Sequence, residues 1–347
     1  MDANIFKWIY DPLIAEALIV SAILFYIVLR DAFLKKSGRS DADDTERSDA
    51  TNGAPRIQEA SGRLAKWPIF SGLCLIILAT VFLTVAYGSF IEPRIIVIKR
   101  ETVNLKNGGG EPIKIALISD SHSGLYKKDP FFKRIVKKIQ EENPDLVLIA
   151  GDLVDSTAEQ TKYLYPLGEM AQKIPTFAVL GNHDSGYGAS REEFFLMPEK
   201  IAAIKKYLAE QNIRLLENSG EKIKIRGRGI YLGGTKEYAS RGENVALAFK
   251  DASRNEPKIL LTHNPDVIYA AMKSGVDLVL SAHTHGGQVR LPLYGPVISP
   301  PTELGRYFDK GFFRFGNTQL FITSGIAETG ARARLFNPPE IVILNLY

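Results

Sequence analysis

Two early stretches of uninterrupted apolar residues contrast with a series of short apolar runs behind them. Residues 67–91 contain no charged side chain. That run exceeds the roughly 20 residues a bilayer core requires, which favours a membrane helix over a buried core helix. Residues 13–29 form a shorter apolar run with Glu16 near its start. No small-residue cleavage pattern follows it, and Asp2 and Asp11 leave the front end poorly basic, so a second span fits better than a cleaved signal. The front of the chain therefore reads as a first membrane helix within 1–34, a linker over 35–66 and a second membrane helix over 67–91. The linker includes SGRSDADDTERSDATNG, mixes both signs of charge and nearly lacks large apolar residues. It cannot bury a core and reads as solvated and disordered.

From about residue 95 the pattern becomes globular, and 95–347 reads as the catalytic domain. Short β-branched runs at 113–119, 146–150, 176–180, 258–262, 278–281, 320–323 and 340–347 predict strands. Between the first of them, residues 130–140 place Phe131, Ile135, Val136 and Ile139 on one helical face, and 193–208 has a similar period. Strands alternating with helices predict a layered α/β domain. The later half looks more like hairpins, as with 222–226 and 230–234 around a turn at 227–229. This favours a mixed sheet or two-sheet sandwich over a doubly wound sheet.

Composition then narrows the chemistry. Cys74 is the only cysteine and lies in an apolar run, so neither a disulfide framework nor a thiolate metal site is available. A net charge of +4 without a basic stripe gives no footprint for nucleic acid. The five histidines, His122, His183, His263, His283 and His285, each fall at or just past the C-terminal end of a predicted strand, the edge where open α/β sheets bind ligands. Asp120, Asp152, Asn182 and Asp184 stand beside them. Carboxylate, imidazole and amide together suit borderline divalent cations such as Mn, Fe or Zn. Gly151 and Gly181 would let the backbone turn sharply at strand ends. In an extended segment His283 and His285 would point to one side.

The ordered series DSH (120–122), GD (151–152), GNHD (181–184), TH (262–263) and AHTH (282–285) resembles the calcineurin-like metallophosphoesterase superfamily over about residues 110–347. The resemblance implies a four-layered α/β/β/α sandwich of two mixed sheets and two divalent metal ions. It implies Asp120, His122 and His285 on one metal, Asn182, His263 and His283 on the other, and Asp152 bridging them. His183 would stand beside the scissile phosphate without being a ligand, with Asp184 tuning or orienting it. Ala282, where the family usually has glycine, is a departure that should only narrow the turn.

The continuation GGQ (286–288), the ending NPPEIVIL (337–344) and Arg334 are similar to a membrane-associated branch of the family. That branch includes transmembrane metallophosphoesterases and UDP-2,3-diacylglucosamine pyrophosphatases, so a phosphate-containing, lipid-linked substrate is implied. Arg334 is expected either to meet a substrate phosphate or to form a surface ion pair. Asp155 is either a further site residue or a helix-start carboxylate. The glycines at 108–110 lack a following Lys-Ser/Thr and read as a turn. The 193–208 stretch is either a core-facing helix or an amphipathic seat on lipid. Arg30, Lys35, Lys36, Arg39, Arg63 and Lys66 crowd the linker ends of both spans, a charge bias that puts the linker inside and the catalytic domain outside, although Arg94, Lys99 and Arg100 oppose it.

Overall fold

The computed structural model of the chain describes residues 11–30, 58–105, 111–188 and 190–347. The glycine run at 108–110 and linker residues 35–57 lie outside these. The chain divides into two units after Phe90. The first contains α1 (Asp11–Arg30) and α2 (Gln58–Ala86), the latter continued by a π turn, Tyr87–Ile91. Among the described residues, two helical stretches, α1 and Ser71–Arg94, are long and apolar enough to cross a membrane. Their large side chains, Ile23, Leu24, Ile76 and Leu83 among them, are exposed. One boundary differs from expectation: residues 58–66, read as linker, are helical. Extending an existing helix adds a hydrogen bond per residue without a new nucleus, so a polar segment can join it.

From Ile91 onward the chain forms β1 (Val97–Val103), β2 (Ile113–Ile118), β3 (Leu146–Ala150), β4 (Thr176–Val179), β5 (Gly186–Tyr187), β6 (Phe195–Leu196), β7 (Arg214–Leu215) and β8 (Ser219–Ile225). These are followed by β9 (Arg228–Gly234), β10 (Lys258–Leu261), β11 (Leu278–Ser281), β12 (Arg290–Leu291), β13 (Gly295–Pro296), β14 (Gly311–Phe315), β15 (Thr318–Ile322) and β16 (Glu340–Leu346). The helices between them are α3 (Asp129–Glu141), α4 (Tyr165–Ala171), α5 (Asn182–Ser185), α6 (Pro198–Glu210), α7 (Val245–Ala248) and α8 (Ile268–Lys273).

Two six-stranded mixed sheets result, ordered β1-β16-β2-β3-β4-β7 and β14-β15-β11-β10-β9-β8. In the first, β2, β3, β4 and β7 run parallel while β16 lies antiparallel to β2. In the second, β9, β10, β11 and β15 are parallel, with β8 and β14 antiparallel at the two edges. The central strands are apolar on both faces because both faces are covered. Leu117, Leu148 and Phe177 meet Leu261, Leu280 and Phe321 between the sheets. Ala116 and Ile118, one position out of phase, face Phe132, Ile135 and Ile139 of α3 and Ile204 and Leu208 of α6. Ala248 of α7 and Ile268 and Ala271 of α8 close the far side of the second sheet. Each large apolar side chain buried this way contributes roughly 1.5–3 kcal/mol. The expected α/β/β/α sandwich is thus the observed fold.

Several elements depart from the sequence reading. The helix expected over 193–208 begins only at Pro198, with Phe195 and Leu196 exposed in the β5–β6 ribbon. Its Ile204 and Leu208 are buried, so it is the core-facing helix and not a lipid seat. The β8–β9 turn is the two residues Arg226 and Gly227, with φ of 51° and 82°, where the sequence suggested 227–229. Strands β1 and β14 were not anticipated: Lys99, Arg100 and Glu101 interrupt the apolar pattern of the first, which is an edge strand paired only with β16.

Candidate metal centre

Both sheets run their parallel strands toward one edge, and all the candidate donors gather there. Asp120 and His122 follow β2, Asp152 follows β3, and Asn182 to Asp184 form the single turn α5 after β4. From the second sheet come His263 after β10 and His283 and His285 after β11. Backbone bonds lock the loops together, with Asp120 N–H donating to Gly151 O (3.0 Å) and His122 N–H to Asp152 O (3.0 Å).

Asp120, His122, Asp152 and His285 are all buried and each presents a donor atom within 4.8 Å of the others, so this group could hold a metal ion. His122 Nε2 lies 3.1 Å from His285 Nε2, and His285 Nε2 lies 3.4 Å from Asp120 Oδ1. Beside this group, His263 Nε2 lies 3.1 Å from Asn182 Oδ1 and 3.1 Å from His283 Nδ1. Asp152 joins the two groups: its Oδ2 is 3.6 Å from His122 Nε2 and 3.2 Å from His263 Nε2. His122, Asp155 and His183 form a further overlapping cluster.

The donor set suits cations on two counts. Both carboxylate oxygens of Asp120 and Nε2 of His283 are buried without a hydrogen-bond partner. Such groups are costly to bury unless something else, such as an ion, satisfies them. The electrostatics also fit. Burial pushes the Asp120 carboxyl up to about 7, with His263 pulling the other way and Asp152 adding to the rise. Burial and the neighbouring His263 take His283 down to about 3, and burial and Arg334 hold His285 well below its usual value. Both rings are therefore neutral, the state a ligand needs. Burial acts against the charges of Asp152 and His263, yet they form a mutual pair. His263 and His183 hold the Asp152 carboxyl well below the carboxylate range, and Asp152 raises His263 well above the imidazole range, so a cation taken up at His263 would displace its proton.

Asp120, His122, Asp152, His283 and His285 have φ of 52°, 35°, 52°, 71° and 51°. Non-glycine residues in this region cost about 1–3 kcal/mol each and persist where the surroundings over-determine them. The extended HTH segment expected from sequence is therefore not what forms. Each histidine turns separately, His283 toward His263 and His285 toward His122 and Asp120. Gly151 does supply a left-handed turn (φ 88°), as expected. Gly181 is needed for space instead: its φ is −102°, and a Cβ there would stand 2.1 Å from Asp152 Oδ1.

His183 lines a cavity of about 190 Å³ with Asp152, Asn182, His283 and His285, and residues 298–301 form its outer wall. Its Nδ1 lies 2.8 Å from the Asp155 carbonyl, which can only accept, so Nδ1 carries the hydrogen. Asp155 thus enters the site through its backbone as well as through the carboxylate that joins the His122 and His183 cluster, and the N-cap of the nearby helical segment is Thr157, not Asp155. Asp184 binds backbone: Oδ1 accepts from Leu153 N–H (2.9 Å) and Val154 N–H (3.1 Å), and Oδ2 from Gly181 N–H (3.0 Å). Burial, followed by the Asp152 charge, pushes its carboxyl up to about 6 despite these bonds.

Arg334 corrects both expectations made of it. It is fully buried and touches neither solvent nor the cavity, because its guanidinium is used to hold carbonyls: Ala327 O (2.5 Å), Ser324 O (2.8 Å) and Asn337 O (3.0 Å). Ala327 O in turn faces His285 Nδ1 at 3.1 Å. Two more supports were missed. Buried Lys200 donates to His183 O, and Glu340 Oε1 accepts from Ser324 N–H (2.8 Å) and Thr323 Oγ1 (3.0 Å). Lys200 carried no motif signal, whereas Glu340 lay within the singled-out NPPEIVIL string.

Residues 113–287 match the family model described as calcineurin-like phosphoesterase. The chain is 29% identical over 266 residues to the uncharacterized metallophosphoesterase YkuE of Bacillus subtilis, covering 75% of this chain and 88% of that one. It is 30% identical over 262 residues to the phosphodiesterase YaeI of Escherichia coli, covering 75% and 92%. A transmembrane protein with metallophosphoesterase domain from Danio rerio is 29% identical over 234 residues, covering 66% of this chain and 52% of that one. The ordered donors at one sheet edge and these matches agree: the chain belongs to the calcineurin-like metallophosphoesterases, metal-dependent hydrolases of phosphate esters.

Proposed function

We propose that this chain is a membrane-anchored phosphodiesterase with a dinuclear metal centre, cleaving a phosphodiester or pyrophosphate bond in a lipid-linked substrate. The observation that carries the reading is Asp152 Oδ2 standing within 3.6 Å of His122 Nε2 and 3.2 Å of His263 Nε2, one carboxylate oxygen shared by two donor sets. Asp120, His122 and His285 would hold one ion, Asn182, His263 and His283 the other, and Asp152 both. Two divalent ions in such a site supply an activated water at neutral pH and charge neutralisation of the phosphoryl oxygens. The chain's own residues do the rest. With Nδ1 committed to the Asp155 carbonyl, Nε2 of His183 is the atom left to deliver a proton to the leaving oxygen. Asp184 orients that ring indirectly, by tying the Gly181 turn to the loop at 153–154.

The diester preference is supported by the Escherichia coli relative's name, and membrane anchoring by the two apolar helices and the Danio rerio relative's name. UDP-2,3-diacylglucosamine, cleaved to UMP and an acylated glucosamine phosphate, is the specific candidate. An envelope phosphoester on the outer side is the second reading, favoured by the basic residues crowding the linker ends of both apolar runs. The test is metal-dependent turnover by the full chain of bis-nitrophenyl phosphate, nitrophenyl phosphate and the UDP-lipid. Hydrolysis of the monoester alone would overturn the diesterase reading, and turnover of the simple diester without the UDP-lipid would favour the envelope substrate.

A further inference from the structure

The loop that leaves the HTH segment runs out as a ribbon before Leu304 and Phe308 bring it back against the core. The ribbon of β12 and β13 projects its apex, and Leu293 there is fully exposed with a φ of 65°. Tyr294, Val297 and Ile298 are exposed beside it, and so are Tyr307 and Phe336. So many large apolar side chains gathered in one place mark an interaction surface more than a chance scatter. Ile298 also lines the catalytic cavity, so the apolar surface runs to the mouth of the site. Arg290 and Arg306 stand behind it, Arg290 paired with Asp309 and Arg306 bonded to Pro296 O.

The occupant is indicated by where the chain comes from. Ile91 ends the long apolar run, and the next residue, Glu92, is buried in the catalytic unit. Its carboxylate accepts the backbone N–H of Phe336 (3.0 Å) and Asn337 (2.5 Å). Phe336 shares with the ribbon the walls of one surface cavity. The first residues past the apolar run are therefore pinned to the same edge that carries the exposed ribbon. Glu92, Pro93 and Arg94 also connect to a cationic feature. A cavity of about 260 Å³ beside Arg94 is lined by Lys127, Lys128, Arg134 and Arg332 against one carboxylate, Glu328. Buried Lys127 engages Glu328 at 3.0 Å, and the lining as a whole carries five cationic side chains, Arg94 included, against that one carboxylate.

We infer that the ribbon Arg290–Pro296 is an interfacial wedge that inserts into an anionic bilayer, while the cationic cavity beside Arg94 holds a phospholipid phosphate. This rests on the reading of the apolar helices as membrane anchors. Docked so, the catalytic cavity opens at the headgroup layer, where a lipid-linked phosphate ester would be presented. Leu293 and Tyr294 supply apolar and amphipathic surface at the depth where such side chains settle, and the arginine-lined cavity adds the electrostatic attraction of lysines and arginines to anionic headgroups.

The test uses the full chain, with Cys74→Ser, in phosphatidylcholine nanodiscs with or without phosphatidylglycerol. An environment-sensitive fluorophore is placed at Leu293→Cys, at Tyr294→Cys as a second wedge position, and at Lys273→Cys at the C-terminal end of α8, toward the opposite edge. Labels at 293 and 294 should be quenched by doxyl-lipid and shielded from iodide, and the label at 273 should show the reverse. Equal iodide access at 293, 294 and 273 would overturn the wedge. Phosphatidylglycerol should deepen the quenching at 293, and Arg134→Glu with Arg332→Glu should remove that increment. Added glycerol phosphate in solution should leave it unchanged. A lipid response that survives both substitutions, or that soluble glycerol phosphate abolishes, would overturn the lipid site. Protein that elutes free of lipid would instead refute the anchor reading. Failure to hydrolyse bis-nitrophenyl phosphate would refute the proposed catalysis while leaving the quenching result intact.

Discussion

The two edges of the paired sheets meet the same geometric demand with different residues. Where loops enter β3, β7, β11 and β15, the left-handed positions are Asn143, Asn212, Gly275 and Gly316, the residue types that adopt this conformation at little cost. Where loops leave β2, β3 and β11, the left-handed positions include Asp120, His122, Asp152, His283 and His285. The entry edge has one clear exception, Arg226, which shares its two-residue turn with Gly227. The contrast locates backbone strain where side chains from two sheets must converge on one centre. It also divides the candidate donors, since the first sheet brings every oxygen donor and the second only imidazoles. Neither sheet can complete either donor set alone.

Substitutions at the two edges should separate function from folding. The largest effect is expected for His283→Ala and His285→Ala, each removing an imidazole of the second sheet from a different donor set. Both should abolish diester hydrolysis at saturating Mn while circular dichroism stays native. Retention of near-normal turnover in either would detach the second sheet from the chemistry.

His183→Ala should follow, losing roughly 10²–10⁴-fold in rate if its Nε2 supplies the leaving-group proton. Metal content should be unchanged, and the loss should be smaller for nitrophenyl esters, whose leaving groups need no proton. Equal losses for nitrophenyl and alkyl diesters would remove the acid role.

Arg334→Met tests the support behind the edge. It leaves Glu92, Glu328 and Glu340 without their shared cation and strips three carbonyls of a donor. A buried charge network broken in this way should cost about 3–5 kcal/mol, read as a lower midpoint in urea. An unchanged midpoint would show that the arginine is dispensable. The smallest effect belongs to the entry edge. Gly227→Ala places a Cβ in open space, so its only penalty is conformational, about 1–2 kcal/mol, with activity intact. A loss of turnover there would break the separation between the edges.

Much of this architecture was legible beforehand. The strand runs at 146–150 and 278–281 coincide with β3 and β11, because strands covered on both faces read as uninterrupted apolar runs. The α3 face was equally plain from its spacing, with Phe132 added to it. The site residues were legible as chemistry, since histidines placed after strands with carboxylate neighbours have few structural explanations in common. What the pattern could not carry was backbone conformation. Nothing in THN or AHTHGG announces that His283 and His285 turn separately, because that follows from which neighbour each ring reaches across the sheet interface. Arg334 was misplaced for a related reason: an arginine reads as surface until the carbonyls it bonds are brought together by residues 324–337. β1 escaped because an edge strand may carry Lys99, Arg100 and Glu101 without penalty.

Asp152 is the residue on which the two-set account depends, and metal content measures it directly. Elemental analysis of the purified full chain should return two divalent ions per chain for the native sequence and clearly fewer for Asp152→Ala, in parallel with lost hydrolysis. Two ions per chain retained in Asp152→Ala would contradict the shared-ligand centre.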